Sequence, residues 1–363
     1  LVVRGGSFKG LNAEQKGAAI YANSNVAQLW PDVALTNAAA SPLEMSNNRG
    51  CAGGAIAVEH ARLSVSGTHS HAFQSNVAHR GGFLWSQTSK IDIQHATIQH
   101  NNASSAEPQP GCGGNILAFD HSNLTMAYSL VSAGSSRDGG GVCLLSNTIA
   151  EFTKVTITNN TAVAMGGGLH VQGNATVLMK ASVVSHNDAL YGGGVSLRGA
   201  SLALEAGTAV HSNSVVGGDG GGLYVAEGGA VQTRNTTIEK NTATSAIGTN
   251  TFGRGGGLAI AERDRLAAAA VSPSAAPSAA AAPAAAAVHD LQVTTRVHLL
   301  QGTIVQHNRG VLGGGIDVQG VAEDSTPSST LVVRLEECLV GNNVADSGGG
   351  LYVEDATVTA KDC

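Results

Sequence analysis

Short runs of alternating apolar and polar residues recur along the chain, separated by glycine and asparagine. Residues 175–179 (Ala-Thr-Val-Leu-Met) and 182–185 (Ser-Val-Val-Ser) are typical of them. Runs of this length that are rich in Val, Ile, Leu and Thr predict short β-strands. No part of the repeated pattern has the 3.6-residue period of an amphipathic helix. The pattern therefore predicts an all-β protein.

A glycine motif divides these strands into repeats. Its clearest copies read Gly-Gly-Gly before an apolar residue, and their third glycines are residues 141, 168, 194 and 222, a period of 26 to 28. Eleven copies begin at residues 17, 53, 81, 113, 139, 166, 192, 220, 255, 313 and 348. One such unit cannot bury its own apolar face, so the units must stack. The sequence predicts a right-handed parallel β-helix of about eleven coils, in one domain over residues 1–363.

Asparagine recurs once in most repeats. We expect these residues to turn the chain and to stack into a hydrogen-bonded ladder, because amide side chains in register bond one another from strand to strand. The repeat of Gly139 to Gly141 has no clear member. The predicted ladder consists of Asn12, Asn48, Asn76, Asn101, Asn160, Asn187, Asn213, Asn241, Asn308 and Asn343.

Alternation after the glycines assigns the faces of the following strand. Leu169 and Val171 are predicted to point into the core and His170 to point out. The core slot of Leu169 is filled elsewhere by Ile56, Ile116, Val195, Leu223, Leu258, Ile316 and Leu351. The outward row reads Tyr21, Ala57, Leu84, Leu117, Cys143, His170, Ser196, Tyr224, Ala259, Asp317 and Tyr352. No residue type repeats along that row, which argues against a regular ligand-binding platform.

Charge and composition exclude several classes of protein. The net charge is −6 and no basic patch is present, so no nucleic acid is expected as a partner. No apolar run is long enough to span a bilayer, so no transmembrane segment is predicted. Residues 265–290 are rich in Ala, Pro and Ser and predict a disordered loop inserted into one coil. The chain starts at Leu1 and stops within a repeat at Cys363, so we expect a fragment of a longer protein.

The five cysteines include no Cys-x-x-Cys pair, which argues against a zinc or redox motif. Cys338 and Cys363 are 25 residues apart, close to one repeat. We therefore expect them on adjacent coils, within the usual Cα separation of a disulfide. The alternative is two buried free thiols. Cys51 and Cys112 are two repeats apart and are not expected to pair with each other.

Candidate catalytic chemistry is sparse. Asp188 and Asp219 lie in adjacent repeats near the same turn, with His186 and His211 close by, and form the best catalytic candidate; the alternative is polar decoration of turns. Three histidines precede ladder asparagines, but their repeats are not all adjacent, so no metal site or cofactor is predicted. These histidines are His100, His186 and His307.

Two short motifs resemble a known family. Gly53-Gly54-Ala55-Ile56 and Phe73-Gln74-Ser75-Asn76 match the Gly-Gly-Ala-Ile and Phe-x-x-Asn repeats of the chlamydial polymorphic outer-membrane proteins. The resemblance implies a pectin-lyase-like parallel β-helix, surface display and adhesion. We therefore expect a non-catalytic extracellular or cell-surface scaffold or adhesin whose partner is a protein or a glycan. The alternative is a carbohydrate-active enzyme, a polysaccharide lyase or hydrolase, on the same fold.

Overall fold

The computed structural model of the chain describes residues 1–363 except 25–29, 38–41, 68–69, 105–110, 247–251, 263–292 and 321–328. Every strand pair in the described part is parallel, and the strands form four sheets that run along one axis. This confirms the predicted parallel β-helix. Among the described residues, no helix has the length and apolarity needed to cross a bilayer.

Sheet 1 contains the strands that directly follow the glycine motifs. There are eleven in the described part, one for each predicted repeat. They are Ile20–Asn23, Ile56–Glu59, Leu84–Gln87, Ile116–Phe119, Val142–Leu145, Leu169–Gln172, Val195–Arg198, Leu223–Ala226, Leu258–Ala261, Ile316–Gln319 and Leu351–Glu354.

Sheet 2 follows sheet 1 along each coil. Its strands are Val2–Arg4, Asp32–Thr36, Arg62–Ser66, Lys90–Gln94, Asn123–Ala127, Ile149–Thr153, Thr176–Lys180, Ser201–Glu205, Ala230–Thr233, Val293–Leu299, Ser329–Glu336 and Val358–Lys361. Ala230 pairs with Arg296 across the predicted Ala/Pro/Ser loop, residues 265–290, which lies outside the described residues.

Sheets 3 and 4 complete each coil. The strands of sheet 3 are Gly6–Lys9, Leu43–Ser46, His71–Gln74, Ala96–Gln99, Leu130–Ser132, Thr156–Thr158, Val183–Ser185, Ala209–His211, Thr237–Glu239, Ile304–Gln306 and Leu339–Gly341. Those of the shorter sheet 4 are Val77–Ala78, Asn102–Ala103, Ser135–Asp138, Thr161–Met165, Asp188–Ala189, Ser214–Val216 and Thr242–Thr244.

The predicted core slots stack from coil to coil. Leu169 pairs with Val195, Val195 pairs with Leu223, and all three are buried. They belong to one apolar core that extends along the coils. Leu351 departs from the prediction of a core position and is 36% exposed, because its strand, the last of sheet 1, has a paired neighbour on one side alone.

The glycine motif serves two separate steric needs. Its first residue adopts a left-handed backbone, as at Gly166 with φ 62°, which glycine reaches without a Cβ penalty. Its second residue lies against the next coil, since a Cβ on Gly167 would overlap the carbonyl oxygens of Gly193 and Asp188. The motif thus makes the corner into sheet 1 and lets the coils stack closely there.

The asparagines form a buried ladder between sheets 3 and 4. Asn187 Nδ2 donates to Asn213 Oδ1 and to the Ile157 carbonyl, both at 3.0 Å, and Asn187 Oδ1 accepts from the backbone and side chain of Asn160. The same bonds join the rest of the row: Asn48, Asn76 and Asn101 before it, and Asn213, Asn241, Asn308 and Asn343 after it.

Three details of the ladder differ from the prediction. Asn12 is not a member: it is exposed and pairs with Arg49, and Leu11 takes the slot instead, where its N–H donates to Asn48. The left-handed residue is the one before each ladder asparagine, such as His186 with φ 54°. The repeat that lacks an asparagine is filled by Asn115, which belongs to another part of the coil.

Candidate functional site

A second layer of side chains covers the outward face of sheet 1. It consists of the residues that precede the glycine motifs, here called the covering row: 16, 52, 80, 112, 138, 165, 191, 219, 254, 312 and 347. At three places, a covering residue contacts the outward residue of the next coil. These are the Cys112–Cys143 disulfide, a 3.4 Å hydrogen bond from Ser196 Oγ to Met165 Sδ, and the Tyr191 and Tyr224 rings, 5.2 Å apart.

The structure confirms that His170 faces outward, adds a second layer above it, and corrects one residue of the predicted outward row. His170 faces outward from the sheet but is only 3% exposed, because the second layer lies over it. Register places Trp85, not Leu84, in this slot, since Trp85 pairs with Ala57 and with Leu117 whereas Leu84 pairs with the core residue Ile56. At three positions of the outward row, Cys143, Ser196 and Tyr224, the residue contacts a covering residue.

The covering row and the outward side chains of sheet 1, many of them buried beneath it, form one face of the described coils, here called the outer groove. A cavity of roughly 180 Å³ lies in it, over the third to sixth coils. It is lined by Arg80, Cys112, Leu117, Phe119, Asp138, Leu145, His170 and Gln172. The Cys112–Cys143 disulfide, with a Cα separation of 5.8 Å, joins the wall of this cavity to the neighbouring strand.

The two charged side chains that line the cavity have no side-chain partner among the described residues. Neither the Arg80 guanidinium nor the Asp138 carboxylate makes a hydrogen bond or an ion pair with any residue that the structure describes. Asp138 is also the sole carboxylate among the residues that line the cavity. His170 Nε2 lies 3.3 Å from Gln172 Oε1, and both side chains line the cavity.

Three ion pairs lie elsewhere along the described part of the outer groove. The ion pairs are Lys16–Glu59 at 2.7 Å, Arg198–Glu227 at 2.7 Å and Arg254–Glu354 at 3.1 Å. The hydrogen bond from Lys16 holds the pKa of Glu59 below its usual value. The Lys16 ammonium also lies 4.6 Å from the centre of the Trp85 ring, a cation–π distance, so it covers the floor of the groove at that end.

The predicted catalytic residues lie outside the cavity. Asp188 is exposed on sheet 4, where Ser214 Oγ donates to its Oδ1 at 2.7 Å. Asp219 is 3% exposed and belongs to the covering row, where its backbone pairs with that of Arg254. The His186 and His211 rings are 5.8 Å apart, and burial followed by the charge of His186 lowers the pKa of His211. The two carboxylates therefore occupy different elements and different environments.

The cysteines are arranged in three ways. Cys338 is buried, Cys363 is exposed, and their sulfurs are 3.2 Å apart on adjacent coils, in the register set by Glu336 and Lys361. Cys51 is exposed, with its sulfur 3.6 Å from His79 Nδ1. In the described residues, no group of three or more His, Cys, Asp or Glu side chains is placed to hold a metal ion.

Sequence reasoning missed the Cys112–Cys143 pair, because it compared equivalent slots one repeat apart. The two residues are 31 positions apart, and the same offset of 31 separates Met165 from Ser196. The separation equals one repeat plus the residues that lead from the covering row through the glycine motif to the outward row. A search for residue pairs with that separation would have found both contacts.

Comparison with known proteins adds the family. No curated protein and no solved structure matches the chain. Residues 81–265, about half of the 363, match the family described as "Right handed beta helix region". With its four parallel sheets and its stacked core, the chain belongs to the right-handed β-helix family.

Proposed function

We propose that this chain is a non-catalytic extracellular or cell-surface module, a scaffold or adhesin, that binds a protein or glycan partner in its outer groove. The observation that carries the proposal is the Cys112–Cys143 disulfide at the cavity wall. Disulfides form and persist in oxidising environments and are rare in the cytosol. A cross-linked groove also holds its shape before a partner arrives, which lowers the entropic cost of binding.

The charges of the groove support a binding role. Lys16–Glu59, Arg198–Glu227 and Arg254–Glu354 are ion pairs, so these acids are neutralised by fixed cations. A glycosidase needs two carboxyl groups on either side of the scissile bond. The described lining of the cavity supplies one, Asp138.

The resemblance to the chlamydial polymorphic outer-membrane proteins supports surface display. Its two motifs have structural roles here: Gly53 makes the corner into sheet 1, Phe73 lies in the core, and Asn76 belongs to the ladder. None of the motif residues lines the cavity, so the resemblance supports the proposed function only through the shared fold.

Two assays test the proposal. The purified chain, with its disulfide intact, should show no turnover of pectin, polygalacturonate or related glycans. Robust turnover that Asp188→Asn or Asp219→Asn abolishes would overturn the non-catalytic reading. Mass spectrometry of material from the native source should find Cys112 and Cys143 linked, and free thiols at both would remove the basis for an extracellular location.

A second candidate function is a carbohydrate-active enzyme, a polysaccharide lyase or hydrolase. The observation that favours it is the presence of Asp138 and His170, a carboxylate and an imidazole, in one cavity. These are the side chains most used for general acid–base catalysis. Turnover that is lost in Asp138→Asn and retained in Asp188→Asn would select this function over the scaffold.

A further inference from the structure

We propose that the cavity over the third to sixth coils binds one neutral sugar ring of a glycan. This inference rests on the proposed function, because it names the ligand of the same groove. The cavity holds roughly 180 Å³, below the 300–1,000 Å³ typical of sites for drug-sized ligands. That space suits a single ring, with the rest of the glycan lying along the groove.

The charge balance of the cavity selects a neutral ligand. Arg80 and Asp138 contribute one charge of each sign and occupy the covering row on either side of Cys112, about 10 Å apart at two strand spacings. An anionic ring that fills the cavity would meet the Asp138 carboxylate, and a cationic one would meet Arg80. Specific sites use such repulsive elements against the wrong ligand together with attractive contacts to the right one.

The hydrogen-bonding groups suit hydroxyls. Asp138 can accept from two ring hydroxyls, while the Arg80 guanidinium and the Gln172 amide nitrogen can donate to others. The 3.3 Å contact between His170 Nε2 and Gln172 Oε1 joins two side chains that line the cavity. A hydroxyl both donates and accepts, so a sugar can satisfy all three groups at once.

The cavity floor suits the apolar C–H face of a sugar. Leu117, Phe119 and Leu145 line it, and the Phe119 ring is held edge-on against Trp85 at 5.2 Å. Apolar walls with a few convergent polar groups are the usual composition of small-ligand sites. Leu117 and Phe119 are on one strand and Leu145 on the next, so the sheet fixes the floor.

Saturation-transfer NMR on the full chain tests the inference. The probes are the methyl glycosides of glucose, galactose, mannose and N-acetylglucosamine, with glucuronate and free lysine as charged comparisons. We expect transfer to at least one neutral glycoside, with a Kd of about millimolar, as a shallow single-ring site would give. Asp138→Asn and Arg80→Gln should each weaken that binding about tenfold or more, and Phe119→Leu should weaken it as well.

Asp188→Asn is the matched control, since Asp188 is exposed on another sheet, and it should leave sugar binding unchanged. Thermal unfolding of each variant separates a lost contact from a lost fold, and the Arg80 and Asp138 variants test the same cavity from two sides. A blank neutral panel, binding confined to the charged probes, or affinity unchanged in both variants would overturn the inference. A blank panel leaves the scaffold proposal standing, whereas glycan turnover overturns the scaffold whatever the panel gives.

Discussion

The side chain of Asn115 occupies the gap that Gly134 leaves in the asparagine ladder. Asn115 Oδ1 accepts from Asn101 at 2.8 Å, and its Nδ2 donates to Asn160 at 3.2 Å, so the ladder is continuous through a coil with no asparagine in the usual slot. Gly134 holds that slot, and its N–H donates to Asn160 Oδ1. A Cβ on Gly134 would collide with Asn115 Nδ2. The two unusual residues therefore compensate for each other across the coil.

This relationship predicts non-additive mutations. Gly134→Asn should destabilise the protein because the new side chain meets Asn115, and Asn115→Gly because it leaves ladder groups unpaired. The double variant places an asparagine in the usual slot and a glycine in the third position of the motif, as in the next coils. Urea unfolding should find the double variant less destabilised than the sum of the single variants, by about 0.5–3 kcal/mol. Simple additivity would contradict the compensation.

Asn187 tests the ladder within its regular part. Asn187→Ala should cost about 1–3 kcal/mol for each buried partner left unpaired, because the side chain bonds Asn160, Asn213 and the Ile157 carbonyl. The free energy of unfolding from urea titration gives this cost. Asn123→Ala is the control, since Asn123 is exposed at the start of its strand and should change stability by about 0.5 kcal/mol or less. Equal effects of the two substitutions would refute a stabilising ladder.

Leu169 tests the stacked core. Leu169→Ala should destabilise the protein by about 2–5 kcal/mol, because it removes a fully buried side chain between Val142 and Val195 and leaves a cavity. Chemical denaturation of the variant and of Thr176→Ala, an exposed residue on the next strand, gives the comparison. A cost near that of the surface control would mean that the coils do not pack tightly at this row.

His71 makes stability depend on pH. It is fully buried, its Nε2 donates to the Ser66 carbonyl at 3.1 Å, and its Nδ1 has no partner among the described residues. Burial lowers the pKa of His71, because protonation would place an unpaired N–H in the core. The pKa of histidine in the unfolded chain is about 6.5, so below this pH the unfolded chain binds a proton that the folded chain does not bind. Stability should fall as pH drops from about 6.5 through the lower folded pKa, and should level off below it.

Urea unfolding at several pH values measures this effect. His71→Gln should reduce the pH dependence below about pH 6.5, since glutamine does not titrate there, and the lowered pKa of His211 accounts for part of what remains. His79→Gln is the control, because His79 is exposed, and it should keep the slope of the parent chain. An unchanged slope in His71→Gln would assign the pH dependence to other groups.

Cys338 and Cys363 are predicted to form a disulfide under oxidising conditions. Their sulfurs are 3.2 Å apart, and burial, with the neighbouring Cys363, raises the pKa of Cys338 to about 12. We therefore expect the exposed Cys363 to attack a low-molecular-weight disulfide first, and Cys338 then to displace the bound thiol, which releases two thiols in all. The bond would close a 25-residue loop and stabilise the chain by up to about 3.5 kcal/mol.

A non-reduced digest analysed by mass spectrometry decides this point. After treatment with oxidised glutathione, the peptides of Cys338 and Cys363 should be linked, and Cys363→Ser should prevent both the link and the gain in stability. Cys51→Ser should change neither, since Cys51 lies elsewhere and is exposed. Free thiols at both positions in material from an oxidising compartment would exclude the link. Both cysteines are free in the structure, Cys338 buried and Cys363 exposed, so this measurement chooses between the disulfide and the alternative of two free thiols.

The coil itself was predictable from the sequence, because its determinants are local. Period-two alternation set the strands, and stacking required Leu169, Val195 and Leu223 to share one core row. The glycine motif repeats because its first residue adopts a left-handed backbone and its second lies against the next coil. Each copy of the motif is recognisable in the sequence by itself. The asparagine ladder followed from the same periodicity, since one residue per coil returns to the same place.

Only the tertiary structure shows which side chains contact one another on the outward face of sheet 1. The covering row turns back over sheet 1, so Cys112 contacts the strand of the next coil at an offset that is not a whole repeat. Asn115 enters the ladder from another corner for the same reason. The segments before the glycines vary in length and conformation, so sequence spacing does not define their contacts. Repetition therefore determined the core and the number of coils, whereas the outer groove and its cavity depend on irregular side chains that pack across coils.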